Sequence, residues 1–143
     1  MHVTLAEADD RDRITETAEA CGVRVDVEAE LSRSCTRLWV ARLAHFDRRI
    51  AGFLLAWAVA DELHIIDLAA RPDCRRRGVA RALLEALLDH ARAERFRIVL
   101  LEVRRNNHAA LRLYQGAGFD AVDVRRGYYS HPPDDAILMQ LTP

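Results

Sequence analysis

The clearest pattern of hydrophobic and polar positions lies between Val79 and Ala93. Apolar residues recur there at helical spacing, and charged residues occupy the opposite side. The apolar positions are Val79, Leu83, Leu84, Leu87, Leu88 and Ala91, and the charged positions are Arg81, Glu85, Asp89 and Arg92. This pattern predicts an amphipathic helix that packs one face on a core.

Two apolar runs flank this helix and have the composition of strands. The first extends from Leu63 to Ala70 and ends before Pro72, and the second extends from Arg97 to Val103. The uninterrupted apolar stretch in the second run is typical of a strand that is buried on both faces. The resulting strand–helix–strand unit is expected to be parallel and right-handed.

The remaining segments predict shorter elements. Strands are expected at residues 3–5, 37–43, 50–60, 119–125 and 136–141, with a short polar turn at residues 45–48. Helices are expected at residues 11–21, where Gly22 would end the helix, at 27–34 and at 107–116. Together these elements predict one α+β domain over residues 1–143, with a mixed, mostly antiparallel sheet, a central parallel unit and about four helices.

Composition excludes several classes of protein. Half of the 143 residues are hydrophobic, and no apolar run reaches the ~18 residues that a bilayer requires. The charged segment from Asp9 to Arg13 does not resemble a secretory signal, so a cytoplasmic protein without membrane contact is expected. The formal net charge of −1 argues against a general affinity for nucleic acid. Three scattered cysteines and six dispersed histidines predict neither a metal site nor a disulfide.

A basic loop, Asp73 to Ala80, connects the first strong strand to the amphipathic helix. All 21 basic residues of the chain are arginines, which excludes a lysine-containing Walker phosphate loop. The first backbone N–H groups of a helix have no partner within the helix and lie at the positive end of its dipole. Gly78 and Ala80 leave these groups accessible to an anion. The loop is therefore either a phosphate site or a solvated run of arginines.

The residues of this loop and of the segments around it carry a family resemblance. The loop contains Arg75-x-x-Gly78-x-Ala80, preceded by residues 68–72. The helix is followed by Leu101-Glu102-Val103-Arg104-x-x-Asn107-x-x-Ala110, then by Leu113-Tyr114-x-x-x-Gly118-Phe119, and finally by Arg125-Arg126-Gly127-Tyr128-Tyr129. Over residues 50–141 the chain resembles the GCN5-related N-acetyltransferase superfamily. Within it, the chain is most similar to the ribosomal-protein-alanine N-acetyltransferases.

This resemblance implies acetyl-coenzyme A as the co-substrate, with no metal. Main-chain groups of Leu68, Ala69 and Ala70 would pair with the pantetheine arm as with an added strand. The pyrophosphate would lie on the loop, whose cofactor-binding residues are Arg75, Arg76, Arg77, Gly78, Val79, Ala80 and Arg81. Asn107 would form a hydrogen bond near the thiol end of the cofactor, although it is also suited to be a helix N-cap.

The resemblance further implies that Glu102 is the general base and that Tyr114 is the general acid that protonates the leaving thiolate. Glu102 could instead be tied to an arginine such as Arg104, because an ionised carboxylate is not stable unpaired in a dry interior. Tyr114 could instead be a core aromatic residue.

The resemblance also implies that Tyr128 and Tyr129 line the acceptor groove. Strand alternation predicts that these two side chains lie on opposite faces, so that at most one faces a given groove.

The implied reaction is acetyl transfer to a primary amine. An α-amine with a pKa of ~7.8 costs about 0.4 kcal/mol to deprotonate at pH ~7.5, whereas a lysine amine costs about 4 kcal/mol. This difference in deprotonation cost favours a protein N-terminus as the acceptor. The enzyme is expected to be a monomer or a weak dimer. The alternatives are a small-molecule amine or lysine acetyltransferase and a non-catalytic coenzyme-A-binding module.

Overall fold

Seven strands form one mixed sheet in the computed structural model, which describes residues 1–44 and 49–143. The strands are β1 (His2–Leu5), β2 (Thr36–Arg42), β3 (Gly52–Val59), β4 (Glu62–Ala70), β5 (Ile98–Arg104), β6 (Asp120–Ser130) and β7 (Pro133–Leu141). Their order across the sheet is β1-β2-β3-β4-β5-β7-β6, and β4 with β5 is the parallel pair. The other described pairs are antiparallel.

The described residues also form four α-helices. They are α1 (Arg11–Ala20), α2 (Val27–Ser32), α3 (Val79–Ala93) and α4 (His108–Ala117). The predicted α+β class, mixed sheet and parallel β4–α3–β5 unit are confirmed. Over the described part of the chain, no helix is both long and apolar enough to cross a membrane.

The last two strands are longer than predicted. They were expected at residues 119–125 and 136–141, but their pairing continues as far as Ser130 with Pro133. The sequence pattern misses this extension because almost every residue of β6 is exposed, so no apolar alternation marks the strand. The turn predicted at residues 45–48 lies outside the described residues.

The sheet separates two hydrophobic clusters. The larger one joins α3 and Tyr114 of α4 to one face, and its buried residues include the apolar positions predicted for α3. The smaller one joins Ile14 of α1 and Val27 of α2 to the other face, against Phe53 and Leu55 of β3. A ligand that enters between two strands of this sheet would therefore reach both clusters.

The strands β4 and β5 pair only over their first halves. Their register runs from Glu62 with Ile98 to Ile65 with Leu101. A bulge in β4 follows, because Ala56 of β3 faces Ile65 whereas its neighbour Leu55 faces Asp67. Beyond the bulge, β4 pairs with β3 and β5 pairs with β7. The two strands therefore diverge toward their carboxyl ends and leave a slot between them.

Gly52 allows α3 to approach this slot closely. A Cβ atom on Gly52 would lie 2.5 Å from the carbonyl oxygen of Ala69 and 2.8 Å from Cγ1 of Val79. A distance below 3.0 Å from a backbone atom cannot be relieved by a side-chain movement. A glycine at the start of β3 therefore fixes the position of the first residue of α3 against the end of β4.

Candidate functional site

The loop between β4 and α3 has a backbone suited to an anion. A single 3₁₀ turn, Pro72–Cys74, leads into it, and the Cys74 side chain is buried beneath it. Arg76 and Gly78 have positive φ angles of 64° and 74°. Left-handed residues within a turn direct successive N–H groups toward one side, which forms a nest for an anion.

The start of α3 adds further N–H groups to this nest. Gly78 is the N-cap, its carbonyl accepts the bond from Ala82 N–H, and no side chain caps the helix. A Cβ atom on Gly78 would meet nothing within 4 Å, so the approach is open. The loop therefore fits a negatively charged diphosphate at a helix N-terminus.

A cavity of about 230 Å³ lies over this loop. It is lined by Ala70, Cys74, Arg75, Arg76, Gly78, Val79, Ala80, Arg81 and Leu113. Six of the seven loop residues predicted to bind the cofactor are thus brought together, and Arg77 is not part of this lining. The buried Val79 side chain also belongs to the core, so this residue serves both the cavity and the packing of α3.

The predicted main-chain contacts of Leu68, Ala69 and Ala70 lie at the diverging end of β4. On one edge these residues pair with Leu54, Phe53 and Gly52 of β3. Their other edge faces the slot, where the described pairing with β5 has ended. Main-chain groups on that edge can hydrogen-bond an extended ligand as if it were an added strand.

A groove between α3 and α4 continues from the loop and was not predicted from the sequence. Its volume is about 480 Å³, and it shares Arg81 and Leu113 with the loop cavity. Further basic lining residues are Arg92 and Arg112. The amphipathic pattern assigns the charged face of α3 to solvent and does not reveal that α4 forms a second wall beside it.

Asn107 is the N-cap of α4. Its side-chain oxygen accepts a hydrogen bond from Ala110 N–H at 3.2 Å, so the capping role is confirmed. Its side chain is exposed, and the amide NH₂ group can still donate to a ligand. The predicted contact with the cofactor remains a prediction.

Tyr114 lies on α4 and is 7% exposed. Its ring contacts that of Phe119 edge to face, with the ring centres 5.6 Å apart, so it is a core aromatic residue as one interpretation held. Burial, together with the negative charge of Asp67, raises the pKa of Tyr114 to about 12. The hydroxyl therefore stays protonated and is a weaker acid than an exposed tyrosine.

Glu102 lies on β5 beside the slot, and its side chain is 29% exposed. Its carboxylate pairs with Arg125 of β6 at 3.2 Å. The alternative that an arginine pairs with Glu102 is confirmed, but the arginine is Arg125 and not Arg104, which was named as an example. The Arg104 guanidinium instead donates to the carbonyl oxygens of His131 and Pro132 at the end of the β6–β7 hairpin.

A space of about 440 Å³ lies between β4, β5 and the β6–β7 hairpin, and we call it the acceptor cavity after the role predicted for Tyr128 and Tyr129. Its lining residues are His64, Ile65, Ile66, Leu100, Leu101, Glu102, Arg125, Tyr128, Tyr129 and Leu138. Tyr128 forms a hydrogen bond with Glu102, and this bond raises the pKa of the Tyr128 hydroxyl. Burial raises the pKa of Tyr129. The walls thus combine apolar side chains with one carboxylate and two protonated phenols.

The expectation that at most one of Tyr128 and Tyr129 faces a given groove is wrong. Both line the acceptor cavity, and their rings meet edge to face with centres 5.0 Å apart. Regular pairing between β6 and β7 is interrupted between Arg125 and Tyr129, and Gly127 has a φ angle of 63°. This irregularity breaks the two-residue alternation on which the expectation rested.

Asp67 follows Ile66, which lines the acceptor cavity, and the sequence reasoning did not single it out. It lies on β4 after the bulge, and burial together with the charge of Glu30 raises its pKa to about 6. A carboxyl group with such a shifted pKa next to a cleft is a candidate for proton transfer. The available signal was an acidic residue inside the apolar run from Leu63 to Ala70.

The fold and site together define a class of protein. Two strands diverge beside a loop whose backbone suits an anion, and the Glu102 carboxylate lines the cavity between these strands and the β6–β7 hairpin. The sequence model of the Acetyltransferase (GNAT) family matches residues 5–119. The chain belongs to this family, and the match extends further toward the N-terminus than the resemblance noted from residue 50.

Curated proteins include more specific relatives of this chain within the family. The chain is 40% identical over 97 residues to the [ribosomal protein bS18]-alanine N-acetyltransferase of Salmonella typhimurium. These residues make up 66% of this chain and 66% of that relative. It is 39% identical over 95 residues to that of Escherichia coli K12, or 65% of this chain and 64% of the relative. The matched segment thus spans just under two thirds of these relatives. The predicted similarity to ribosomal-protein-alanine N-acetyltransferases is confirmed.

Solved structures share the whole fold. The crystal structure of the ribosomal-protein-S18-alanine N-acetyltransferase from Escherichia coli matches with a TM-score of 0.87 and 27% identity, over 99% of this chain and 92% of that one. Arabidopsis thaliana NAA60 in complex with acetyl-CoA matches with a TM-score of 0.85 and 19% identity, over 99% of each chain. At that identity the second match shows the fold alone.

Proposed function

We propose that this chain transfers an acetyl group from acetyl-coenzyme A to a primary amine, and that the preferred acceptor is the N-terminal α-amine of a protein. One observation carries the proposal. The slot between β4 and β5 has the loop whose backbone suits an anion at one end and opens toward Glu102 and the acceptor cavity at the other. A ligand with a diphosphate, an extended arm and a reactive tip matches that sequence of environments.

The cofactor residues act mainly through their main chain. The pyrophosphate lies on the N–H groups around Gly78 and at the start of α3, with the arginines contributing long-range attraction. The pantetheine arm pairs with the open edge of Leu68, Ala69 and Ala70. The side-chain amide of Asn107 donates a hydrogen bond near the thiol end. The nucleotide part extends into the groove between α3 and α4.

The chemistry requires that the acceptor nitrogen be neutral when it attacks the thioester carbon. Glu102 takes the first proton from the acceptor ammonium, directly or through a water molecule, and releases it to solvent. The nitrogen–carbon bond then forms, the carbon–sulfur bond breaks, and Tyr114 protonates the thiolate. The nitrogen loses one proton to solvent, and a solvent proton restores the Tyr114 hydroxyl, so the step balances. Two reactants held in one cleft gain much of the rate from positioning alone.

The raised pKa of Tyr114 makes the last step harder than the sequence suggested. A thiol with a pKa of ~8.5 and a phenol near 12 differ by about 3.5 units, so the proton transfer is uphill by about 5 kcal/mol. For an ordinary phenol with a pKa near 10, the same proton transfer would be uphill by only about 2 kcal/mol. The site therefore needs a further contribution that makes Tyr114 more acidic during the reaction.

The acceptor preference rests on three supports. A neutral α-amine costs about 3.5 kcal/mol less to generate at pH ~7.5 than a neutral lysine amine, and Glu102 is already engaged with Arg125 and Tyr128. The curated relatives in Salmonella and Escherichia coli are named as alanine N-acetyltransferases of ribosomal protein bS18. A chain end fits an open cavity that the exposed Tyr128 borders.

The test is thiol release from acetyl-coenzyme A with a panel of acceptors. The panel contains peptides that begin with Ala-Arg, the same peptides with a blocked N-terminus and one internal lysine, a polyamine and single amino acids. We expect turnover with the free N-terminal peptides and at least tenfold less with the blocked ones. Preferred turnover of the polyamine or an amino acid would replace the protein acceptor by a small amine. Cofactor binding without turnover of any acceptor would contradict an enzymatic role.

A further inference from the structure

The irregularity in the β6–β7 hairpin is centred on Asp135. Regular pairing of β6 with β7 stops at Arg125 and resumes at Tyr129. On β7 the partners of these two residues are the immediate neighbours of Asp135. Residues 126–128 of β6 therefore lie opposite one residue of β7, and their backbone groups need partners from outside the ladder.

The carboxylate of Asp135 supplies such a partner. Its Oδ1 accepts a hydrogen bond from the N–H of Gly127 at 2.9 Å. Gly127 has a φ angle of 63°, a left-handed conformation that favours glycine, so the bond holds the chain where it turns. This bond and the charge of Arg105 hold the pKa of Asp135 below its ordinary value, so the group is ionised at neutral pH.

The segment directly after β5 holds the same carboxylate from the other side. Arg105 Nη1 donates to Oδ2 of Asp135 at 3.2 Å, and Arg105 N–H donates to the Asp135 carbonyl at 2.9 Å. Asp134 Oδ2 accepts the N–H of Asn106 at 3.1 Å. The irregularity is thus fastened to the end of β5, the strand that carries Glu102.

This fastening determines where the two tyrosines lie. Tyr128 directly follows Gly127, and Tyr129 is the residue at which regular pairing resumes. Both rings line the acceptor cavity beside Glu102. A return to regular pairing would restore the two-residue alternation and turn one ring away from the cavity. Asp135 lies outside the described lining of this cavity, so it acts on the acceptor through the tyrosines.

Other contacts hold the end of the hairpin independently of Asp135. The Arg104 guanidinium donates to the carbonyl oxygens of His131 and Pro132. It also lies over the ring of Tyr129, 4.1 Å from the ring centre. Replacement of Asp135 should therefore change the conformation of residues 126–128 without unfolding the hairpin.

We propose that Asp135 is a positioning residue of the acceptor site, and that its carboxylate holds the turn at Gly127 so that Tyr128 and Tyr129 face the acceptor together. The proposal rests on the proposed acetyl transfer to an amine. The two phenols and Glu102 form one wall, and this wall binds the acceptor while the reacting groups and the cofactor loop lie elsewhere. Loss of the carboxylate should therefore weaken acceptor binding and leave the cofactor site intact.

The test replaces Asp135 with alanine and with asparagine. Asp135→Ala removes both interactions of the carboxylate, whereas Asp135→Asn can still accept the N–H of Gly127 and loses only the charge that pairs with Arg105. We expect Asp135→Ala to raise KM for a peptide with a free N-terminus about tenfold, with kcat and the Kd for acetyl-coenzyme A changed less than about twofold. Asp135→Asn should raise KM only about threefold.

Asp123→Ala is the matched control. Asp123 is an exposed carboxylate on the same strand, beside the other irregularity of β6, and its Oδ1 accepts the N–H of Val124 at 2.8 Å. It lies outside the described lining of the acceptor cavity. We expect this variant to keep the wild-type KM, kcat and Kd, because the hydrogen bond that it loses positions no tyrosine.

A double-mutant cycle separates positioning from a merely structural role. If Asp135 acts through the tyrosines, Asp135→Ala should raise KM little further in a Tyr128→Ala/Tyr129→Ala background. A KM effect of Asp135→Ala that is as large in this background as in the wild type would overturn the positioning role.

The titration of Tyr128 gives a readout that needs no turnover. In a Tyr129→Phe background the remaining tyrosines are Tyr114 and Tyr128, and the hydrogen bond to Glu102 raises the pKa of Tyr128. The phenolate absorbance of Tyr128 should appear at lower pH when Asp135→Ala is added. An active enzyme whose Asp135→Ala variant keeps either the wild-type KM or this titration would overturn the role of Asp135 alone. A wild type that acetylates no amine would overturn the proposed function and this inference together.

Discussion

The cofactor half and the acceptor half of the site are built in different ways. The cofactor half is built mainly from one continuous segment, Leu68 to Arg81, whose main chain supplies most of the binding groups, with Asn107 of α4 as a side-chain addition. The acceptor half joins Glu102 of β5 to Tyr128 and Tyr129 of β6, with Ile66 of β4 in the same lining. A local motif specifies the first half, whereas the second depends on how distant strands pair.

This difference determines which changes each half tolerates. A main-chain site is insensitive to most side chains but depends on a few positions where backbone geometry admits no replacement. A side-chain site depends on the charge and hydrogen bonds of each residue. Substitutions should therefore separate the two halves, with loss of cofactor affinity in one and loss of rate at normal cofactor affinity in the other.

Gly78→Glu should have the largest effect. It places a carboxylate in the open space over the nest and imposes a Cβ atom on a residue with a φ angle of 74°. We expect acetyl-coenzyme A affinity, measured by calorimetry, to fall more than 100-fold, because the new charge repels the pyrophosphate. Gly22→Glu is the matched control, since Gly22 has a φ angle of 71° and open space around it but lies outside the loop. Equal affinities in the two variants would contradict the loop as the phosphate site.

Glu102→Gln should come next and should affect the rate instead of cofactor binding. The amide keeps the shape of the side chain but cannot accept a proton from the ammonium group. We expect kcat to fall about 10²-fold to 10³-fold with an unchanged Kd for acetyl-coenzyme A. Arg125→Gln, which removes the ion-pair partner and leaves the carboxylate, should cost much less. A larger loss of rate in Arg125→Gln would assign the catalytic contribution to the guanidinium.

Tyr114→Phe should have the next largest effect and should lower kcat about 10²-fold. The ring and its contact with Phe119 are kept, so packing is unchanged and only the proton donor is lost. The rate should then depend on the pKa of the leaving thiol. A thioester analogue whose thiol has a lower pKa can measure this dependence. Full activity of this variant with both thioesters would show that water protonates the thiolate.

The sequence predicted the cofactor half better than the acceptor half for a physical reason. Strand, loop and helix are contiguous, so spacing alone orders Arg75, Gly78 and Ala80 correctly. The partner of Glu102 could not be read from spacing, because Arg125 reaches it only through the pairing of β5 with β7 and of β7 with β6. The shared cavity of Tyr128 and Tyr129 depends on a break in strand register that leaves no hydrophobic signal.

Gly52 and Asp67 were missed for related reasons. A glycine at the start of a strand has no distinctive pattern until the neighbouring carbonyl and Val79 are known to lie against it. An acidic residue in an apolar run indicates either a strand end or a buried charge, and only the bulge and the divergence of β4 from β5 distinguish these cases.

Gly52→Ala links the two halves and should have a moderate effect. The added methyl group would meet the Ala69 carbonyl and Val79, so the end of β4 and the start of α3 must separate. We expect a loss of about 2 kcal/mol in the free energy of unfolding, measured with urea, and weaker cofactor binding. Gly116→Ala is the control for the stability measurement alone, because its Cβ atom meets nothing within 4 Å and alanine favours a helix, whereas Gly116 also lines the groove between α3 and α4. A Gly52→Ala variant as stable as the wild type would contradict the close packing.

Asp67→Asn should have the smallest effect when stability is measured instead of rate. The folded-state pKa of Asp67 is about 6, above the ordinary value of ~3.9 in an unfolded chain. Below pH 4 both states are protonated, and the group favours neither. Between pH 4 and pH 6 the unfolded chain ionises first, so the free energy of unfolding of the wild type falls as pH rises through this window.

A neutral asparagine at position 67 removes this fall in the free energy of unfolding. Because Asp67 is only partly buried, the shift of about 2 units translates into about 1 kcal/mol after allowance for solvent screening. Above pH 7, Asp67→Asn should therefore be more stable than the wild type by about 1 kcal/mol, or about 3 °C in Tm, and the difference should vanish at pH 4. Asp61→Asn should show no such pH-dependent gain, because that carboxylate is exposed and paired with Arg97. A stabilisation that persists at pH 4 would assign the effect to packing and would remove the evidence for an uncompensated charge at the entrance of the slot.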